Sequence, residues 1–396
     1  VNLEEVRTRA QLREFLDLPL RLHPRELAVP LLADTVEQWW RGRSPHPEPV
    51  TLLLARDASG DVVGRTTVHT DARLDARLGA RSLLFGATEF ADEAAARALV
   101  DGLARRAEGH EQLFGPVSLL PNQTGGVLTS GFEERGFVDS PWSPARVAAT
   151  YEALGFRRWG EAQTWAVDVD PANAAGAPTP DEWRAAGLVL ERGRRSSVGR
   201  LVPEVLEVLN RSFAALPYYT PITPAEMAAA TDGLAFLVDE ELLLLARDAR
   251  SGRLVAFLLV VPDLTAFVQR AGGRLGVLRR LELLATRGRY RREAVLVIQG
   301  TDPDRQGRGV LTLLSRQLHA ALATGGYARL RSTMIAPDNP GSRRQLERFG
   351  GRPLHGVTFY RLPLGAAHAD TGHPGGTAPA TPDRRTPSGS PETRPT

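Results

Sequence analysis

The sequence predicts an α/β chain made of two like halves, and three observations carry that reading. An apolar hairpin pattern occurs twice. Residues 52–54 and 62–63 flank the turn residues Asp57-Ala58-Ser59-Gly60-Asp61, and residues 242–261 repeat the arrangement. Ala55-Arg56-Asp57 returns as Ala246-Arg247-Asp248, 191 residues later. A second marker closes each half: Glu152-Ala153-Leu154-Gly155-Phe156 is answered by Glu347-Arg348-Phe349-Gly350-Gly351, with Gly350 lying 195 residues after Gly155. Apolar strands come after both, at 164–169 and 357–362. Two independent markers with nearly one offset indicate a tandem duplication. The third observation is the stretch 294–326, which reads as strand, glycine-bearing turn and helix.

Within that stretch, 295–298 is a short β-branched apolar run, too short for a helix, and Pro303 ends it. Leu311, Leu313, Leu314, Leu318 and Leu322 then fall on one face of a helix. Between them lies Gln306-Gly307-Arg308-Gly309-Val310. The first N–H groups of a helix have no internal partner, and the helix dipole puts partial positive charge there. Gly307 and Gly309 leave no Cβ in the path of an approaching anion.

Here the sequence resembles the GNAT superfamily of acyl-CoA-dependent N-acyltransferases, whose pyrophosphate loop reads Gln/Arg-x-x-Gly-x-Gly/Ala after a strand ending in an x-Pro-x step. Gln306, Gly309 and Thr301-Asp302-Pro303 match; Leu311 stands where Gly or Ala is usual. The resemblance implies two tandem GNAT-like domains of the α+β type, each a mixed, mostly antiparallel sheet flanked by helices. It makes 1–170 a first, degenerate domain and 183–364 the acyl-CoA-binding domain; the small, proline-bearing composition of 171–182 reads as a linker, and 365–396, Pro, Gly, Thr and Ser with almost nothing to bury, as a disordered tail. It implies acetyl-CoA or another acyl-CoA as co-substrate, no metal, and an amine acceptor on a small molecule or peptide. Gln306, Gly307, Arg308, Gly309, Val310 and Leu311 would hold the pyrophosphate, Gly300 and Thr301 would polarise the thioester carbonyl, and Asn339 would lie beside the cofactor. Many members also carry a tyrosine that protonates the leaving thiolate, in the pattern Asn-x-x-Ala-x-x-x-Tyr-x-x-x-Gly. Asn339 and Gly350 hold its outer positions, but Ser342 replaces the alanine and Leu346 the tyrosine. No catalytic residue is assigned on this basis. Glu293, at the mouth of the strand, is either a base or a solvated surface carboxylate, and it reads first as the latter.

In the first half, 82–90 and the helical stretch after it occupy the slot of the loop, without Gly-x-Gly. Glu89, Asp92 and Glu93 are expected at that helix terminus, where they would repel a pyrophosphate. The eight histidines show no metal spacing. His23, His46, His69 and His110 read as surface or turn residues, His319 as structural, and His355 as the one to test. The loop 217–224 is either a pocket wall or packing.

Composition narrows the classes. The 396 residues are 42% hydrophobic and 24% charged, the balance of a globular chain. There is no cysteine, which excludes disulfides, thiolate metal sites and a cysteine nucleophile. All 49 basic residues are arginine, so no Schiff-base lysine exists. A formal net charge of +3 gives no general affinity for nucleic acid, and the arginine content reads as the signature of a GC-rich genome. The arginine-dense stretch 274–292 is the exception. No apolar run spans a membrane and the first residues lack the core of a signal peptide, so a cytoplasmic protein without membrane partners is expected. Two other functions stay open: a GNAT-like transferase using aminoacyl-tRNA, and a catalytically silent acyl-CoA binder.

Overall fold

The computed structural model describes residues 1–364 apart from 139, 141, 232–237, 291 and 338; the expected disordered tail lies outside the described residues. Thirteen strands form one sheet: β1 (Asn2–Glu5), β2 (Thr51–Arg56), β3 (Val62–His69), β4 (Ser82–Phe90), β5 (Gln112–Gly115), β6 (Val127–Ser130), β7 (Arg157–Asp168), β8 (Leu188–Arg192), β9 (Leu243–Asp248), β10 (Leu254–Pro262), β11 (Glu293–Thr301), β12 (Arg329–Ile335) and β13 (Arg352–Pro363). Their order is β1-β2-β3-β4-β5-β13-β7-β12-β11-β10-β9-β8, with β6 paired to β13. Among the described residues only β4–β5 and β11–β12 pair in parallel, and each of those pairs is joined by a crossover helix, Glu93–Arg106 and Val310–Thr324.

The duplication extends to side chains. Arg56 binds Glu4 on β1 at 2.6 Å and Glu14 on the helix Arg9–Leu22 at 2.6 Å. Its counterpart Arg247 binds Glu191 on β8, and Glu204 on the helix Val198–Phe213 at 2.6 Å. Each arginine ties an edge strand and a helix to its hairpin.

The last strands are exchanged. β13, from the end of the chain, pairs with β5 of the first half, while β7 pairs with β12 of the second. The two pair with each other antiparallel, and Arg352↔Ala166 is matched by Arg361↔Arg157 under the 195-residue offset, the register of a local two-fold axis. The stretch 171–182 carries a 3₁₀ turn (Pro171–Gly176) and the start of the helix Pro180–Ala185, and Arg316 of the crossover helix binds Gly176 O at 3.1 Å and Glu182 at 2.5 Å.

Apolar cores lie on both faces of the sheet. On one face the helix Val310–Thr324 packs through Leu314, Leu318 and Leu322 on β9–β12, and the helix Glu93–Arg106 packs through Leu99 and Leu103 on β2–β5; on the other face the helix Arg9–Leu22 packs through Phe15 and Leu18 against Leu52 and Leu54, and the helix Val198–Phe213 through Leu201 and Leu209 against Leu243 and Leu245. Among the described residues no helix is long and apolar enough to cross a membrane.

Candidate functional site

The glycine turn forms as its residues demand. β11 ends at Thr301, and buried Asp302 fixes the start of the turn. Its carboxylate accepts from Arg211 at 2.7 Å, Arg253 at 2.8 Å and the Asp304 N–H at 3.0 Å. Gln306 donates to Thr301 O at 3.2 Å, closing the base of the turn. Gly307 (φ 73°) and Gly309 (φ 78°) are left-handed, and no atom lies within 4 Å of where a Cβ would stand. Among the described residues the N–H groups of Gly307, Arg308 and Gly309 donate to no carbonyl. Val310 and Leu311 open the helix, Val310 buried and Leu311 packed against the same core. The turn is exposed, and Arg308 makes no ion pair among the described residues.

The other residues assigned to this site have structural partners. Gly300 pairs with Phe257, and a Cβ there would meet that ring at 2.8 Å. The β10–β11 ladder runs through Gly300 and Thr301; its bulge falls earlier, at Val297, whose carbonyl accepts from Thr333 Oγ1 at 2.9 Å. Asn339 caps the helix Pro340–Glu347 by accepting from the Ser342 N–H at 3.2 Å. β11 and β12 pair only from Glu293↔Arg329 to Leu296↔Ser332 and then part, but Gln299 reaches Ser342 at 3.0 Å and Gln345 at 3.1 Å across the gap. Glu293 is bound by Arg135 at 2.8 Å and Arg331 at 3.1 Å, in place of the solvated carboxylate read from sequence.

The first half holds a cleft that residue patterns did not announce. It has a volume of about 140 Å³ and opens where β4 and the chain after β5 part, walled by residues including Leu20, Val29, Pro30, Phe90, Phe137 and Trp142. β4 bulges there, with Ala87 at φ 47°. Glu89 faces the cleft rather than the helix terminus: His23 Nε2 lies 2.6 Å from its carboxylate and Arg65 3.8 Å. Arg65 is buried, and desolvation lowers its pKa to about 10, opposed by Glu89. Asp92 does cap the helix Glu93–Arg106, accepting from Ala95 N–H at 2.8 Å, while Glu93 pairs with Arg97 at 2.9 Å. Only two residues separate β4 from that helix, against eight between β11 and the helix Val310–Thr324, so the first half has no room for a turn around a phosphate.

Tyr151 also lines the cleft. It stands 195 residues before Leu346, as Gly155 does before Gly350, and so occupies the tyrosine position that the second half lacks. Applying the repeat offset to the tyrosine pattern would have found it. Among the described residues its buried hydroxyl has no hydrogen-bond partner of good geometry, although Thr88 lies near, and burial raises its pKa well above the ordinary value. Leu346, by contrast, is buried in the second core.

The histidines differ from expectation. His23, His46 and His69 are buried. His46, Glu48 and Asp71 bring one potential ligand atom each within 4.8 Å of one another, a cluster that sequence spacing did not reveal. Asp71 is already engaged by Arg73 at 2.7 Å and by the N–H groups of Arg73 and Leu74 as a helix cap. His319 stacks on Phe349 at 3.6 Å, a structural role. His355 is buried against Thr164 at 2.8 Å, at the junction of β7 and β13. In the loop 217–224, Tyr219 binds Asn210 at 2.6 Å and stacks on Phe213, a packing role.

No protein-family model matches the chain. A tandem GNAT protein from the clavulanic acid biosynthesis pathway superposes with a TM-score of 0.57 at 17% identity, over 93% of this chain and all of that one. The fold is that of a tandem GNAT protein. A glucosamine N-acetyltransferase region of a fungal multi-domain β-N-acetylglucosaminidase gives 0.56 at 14% identity over 91% of this chain, which spans 38% of that larger one. Among curated proteins, protein YghO of Escherichia coli is 23% identical over 364 residues, 88% of this chain and 92% of that protein. Bacterial ceramide synthase of Caulobacter vibrioides is 26% identical over 294 residues, 68% of this chain and 72% of that protein. On the tandem GNAT frame, the glycine turn sits in the second repeat and Tyr151 in the first.

Proposed function

We propose that the chain is an N-acyltransferase that takes its acyl group from acyl-CoA and delivers it to an amine. The observation that carries the proposal is the bare glycine turn of residues 306–311 at the head of the helix Val310–Thr324. Its backbone N–H groups suit a pyrophosphate, and Arg308 adds charge. An intact turn favours acyl-CoA over aminoacyl-tRNA as donor.

In this reading the amine enters the cleft of the first half. An ammonium must lose a proton before nitrogen attacks the thioester carbon. The Glu89–His23 pair is placed to accept it. The C–N bond forms as the C–S bond breaks, the electron pair leaves on sulfur, and the second proton shed by the nitrogen passes to the thiolate. Burial keeps the Tyr151 phenol neutral, so it serves as a hydrogen-bond donor to the departing thiolate. The wall at Phe137 packs with Val295 and Val297 of β11, the strand that leads to the glycine turn. The apolar walls favour an acceptor with an apolar body, and the likeness to a curated protein named a ceramide synthase points the same way.

Amine-dependent thiol release from acyl-CoA tests this. Glu89→Gln should lower turnover by roughly 10²–10³-fold while leaving CoA affinity unchanged. Wild-type protein that binds acyl-CoA yet never releases thiol with any amine would make the chain a silent binder.

A further inference from the structure

We propose that the helix Val277–Thr286 docks the protein on the surface of a lipid bilayer that bears anionic headgroups. Of the large apolar side chains that the described residues leave exposed, four stand on this one helix: Val277, Leu278, Leu281 and Leu284, with Leu278 82% exposed. Their spacing gathers them on one face, and Leu283, on the other side, is buried and anchors the helix to the body. The helix is held in place as well. Arg280 binds Asp34 at 2.7 Å, Arg270 binds Glu282 at 3.0 Å, and just before the helix Arg274 binds Asp17 at 2.7 Å. The apolar face therefore belongs to a fixed element, and water covers it at a cost.

Charge names the occupant. From Arg270 to Arg292 the sequence holds eight arginines and one acidic residue, Glu282. Arg279, Arg280, Arg289 and Arg292 are exposed; Arg279 pairs with Glu282 at 2.6 Å and Arg280 with Asp34, while Arg289 and Arg292 are in no ion pair among the described residues. An apolar stripe with an arginine-rich surround is complementary to the boundary between acyl chains and anionic headgroups, where arginine stems run along the apolar layer and their guanidinium groups meet phosphate. Ten residues are too few to cross a bilayer, so the helix lies in its plane.

The placement gives the docking a use. The helix Thr265–Arg270 supplies Val268 and Gln269 to the cleft wall and leads, through residues 271–276, into the exposed helix. A protein seated on this face would hold its cleft close to the layer in which long-chain molecules partition. The docking itself stands on the exposed face and its charge, independently of acyl transfer.

The test is sedimentation of the full chain with vesicles of phosphatidylcholine alone and with vesicles that also contain phosphatidylglycerol. The expected result is binding to the phosphatidylglycerol vesicles, weakening as salt rises. Leu278→Glu and Leu281→Glu should each weaken it roughly tenfold, with melting temperatures unchanged because both side chains point into water. The proposal is overturned if neither vesicle type is bound, if both are bound equally, or if both variants bind as wild type does. It is also overturned if the wild type self-associates without binding vesicles and Leu278→Glu abolishes that association, since a second copy would then cover the face.

Discussion

The two halves share a frame, and two of the places where they differ are those to which the proposal assigns different chemistry. Both fix their edge strand with one arginine and two glutamates, through Arg56 and Arg247. Both close on a glycine and a long exchanged strand. Between the central strand and the crossover helix, however, the second half has eight residues with two left-handed glycines, and the first has two residues ending in the Asp92 cap. At the equivalent positions 151 and 346 the first half keeps a buried tyrosine beside a cleft, and the second a leucine in its core. A duplicated fold needs only one copy of each part. The proposal gives anion binding to one repeat and proton handling to the other, and strand exchange welds them into one sheet.

The sharpest way to test that division is to swap the expected consequences at one pair of equivalent positions. Leu346→Ala should cost about 2–5 kcal/mol of stability, because it empties a packed core position. Tyr151→Phe removes only an unpartnered hydroxyl, so the melting temperature should stay near that of the wild type or rise, while amine-dependent thiol release falls roughly tenfold or more. Thermal unfolding and turnover of both variants check this. Equal loss of turnover with no loss of stability in Leu346→Ala would place chemistry in the second half after all.

Acid should affect the two halves alike. Burial holds His69 in the first half and His319 in the second at about 4, below the ordinary 6.5. Both are neutral in the fold, so the stability they support is complete above pH 6.5 and drains away as the pH falls toward 4. His319→Gln, which does not titrate, should flatten the fall in melting temperature across that window. A curve parallel to wild type would show that burial does not hold the stacked imidazole below its ordinary pKa.

Much of this frame was legible in the sequence, because repeats and period-2 and period-3.6 patterns are local. The glycine turn was legible for the same reason: strand, turn and helix are contiguous. Strand exchange was not, since either repeat's last strand could satisfy either sheet edge, and residue patterns do not say which. The cleft escaped because its members, His23, Arg65, Glu89 and Tyr151, are brought together only by the fold. Glu89 was misplaced by its nearness in sequence to Asp92; on a strand, side chains alternate faces, and Glu89 is still within β4. Tyr151 alone carried a sequence signal, the repeat offset of 195 residues.

The division of labour rests on one glycine turn, in the second half, holding acyl-CoA. Isothermal titration of CoA into the wild type and Gly309→Glu probes that turn without relying on turnover. One site per chain is expected in the wild type. The variant sets a side chain at a left-handed position and a carboxylate against the pyrophosphate, so at least a roughly hundredfold loss of affinity is expected. Two sites per chain, or wild-type affinity in Gly309→Glu, would contradict it.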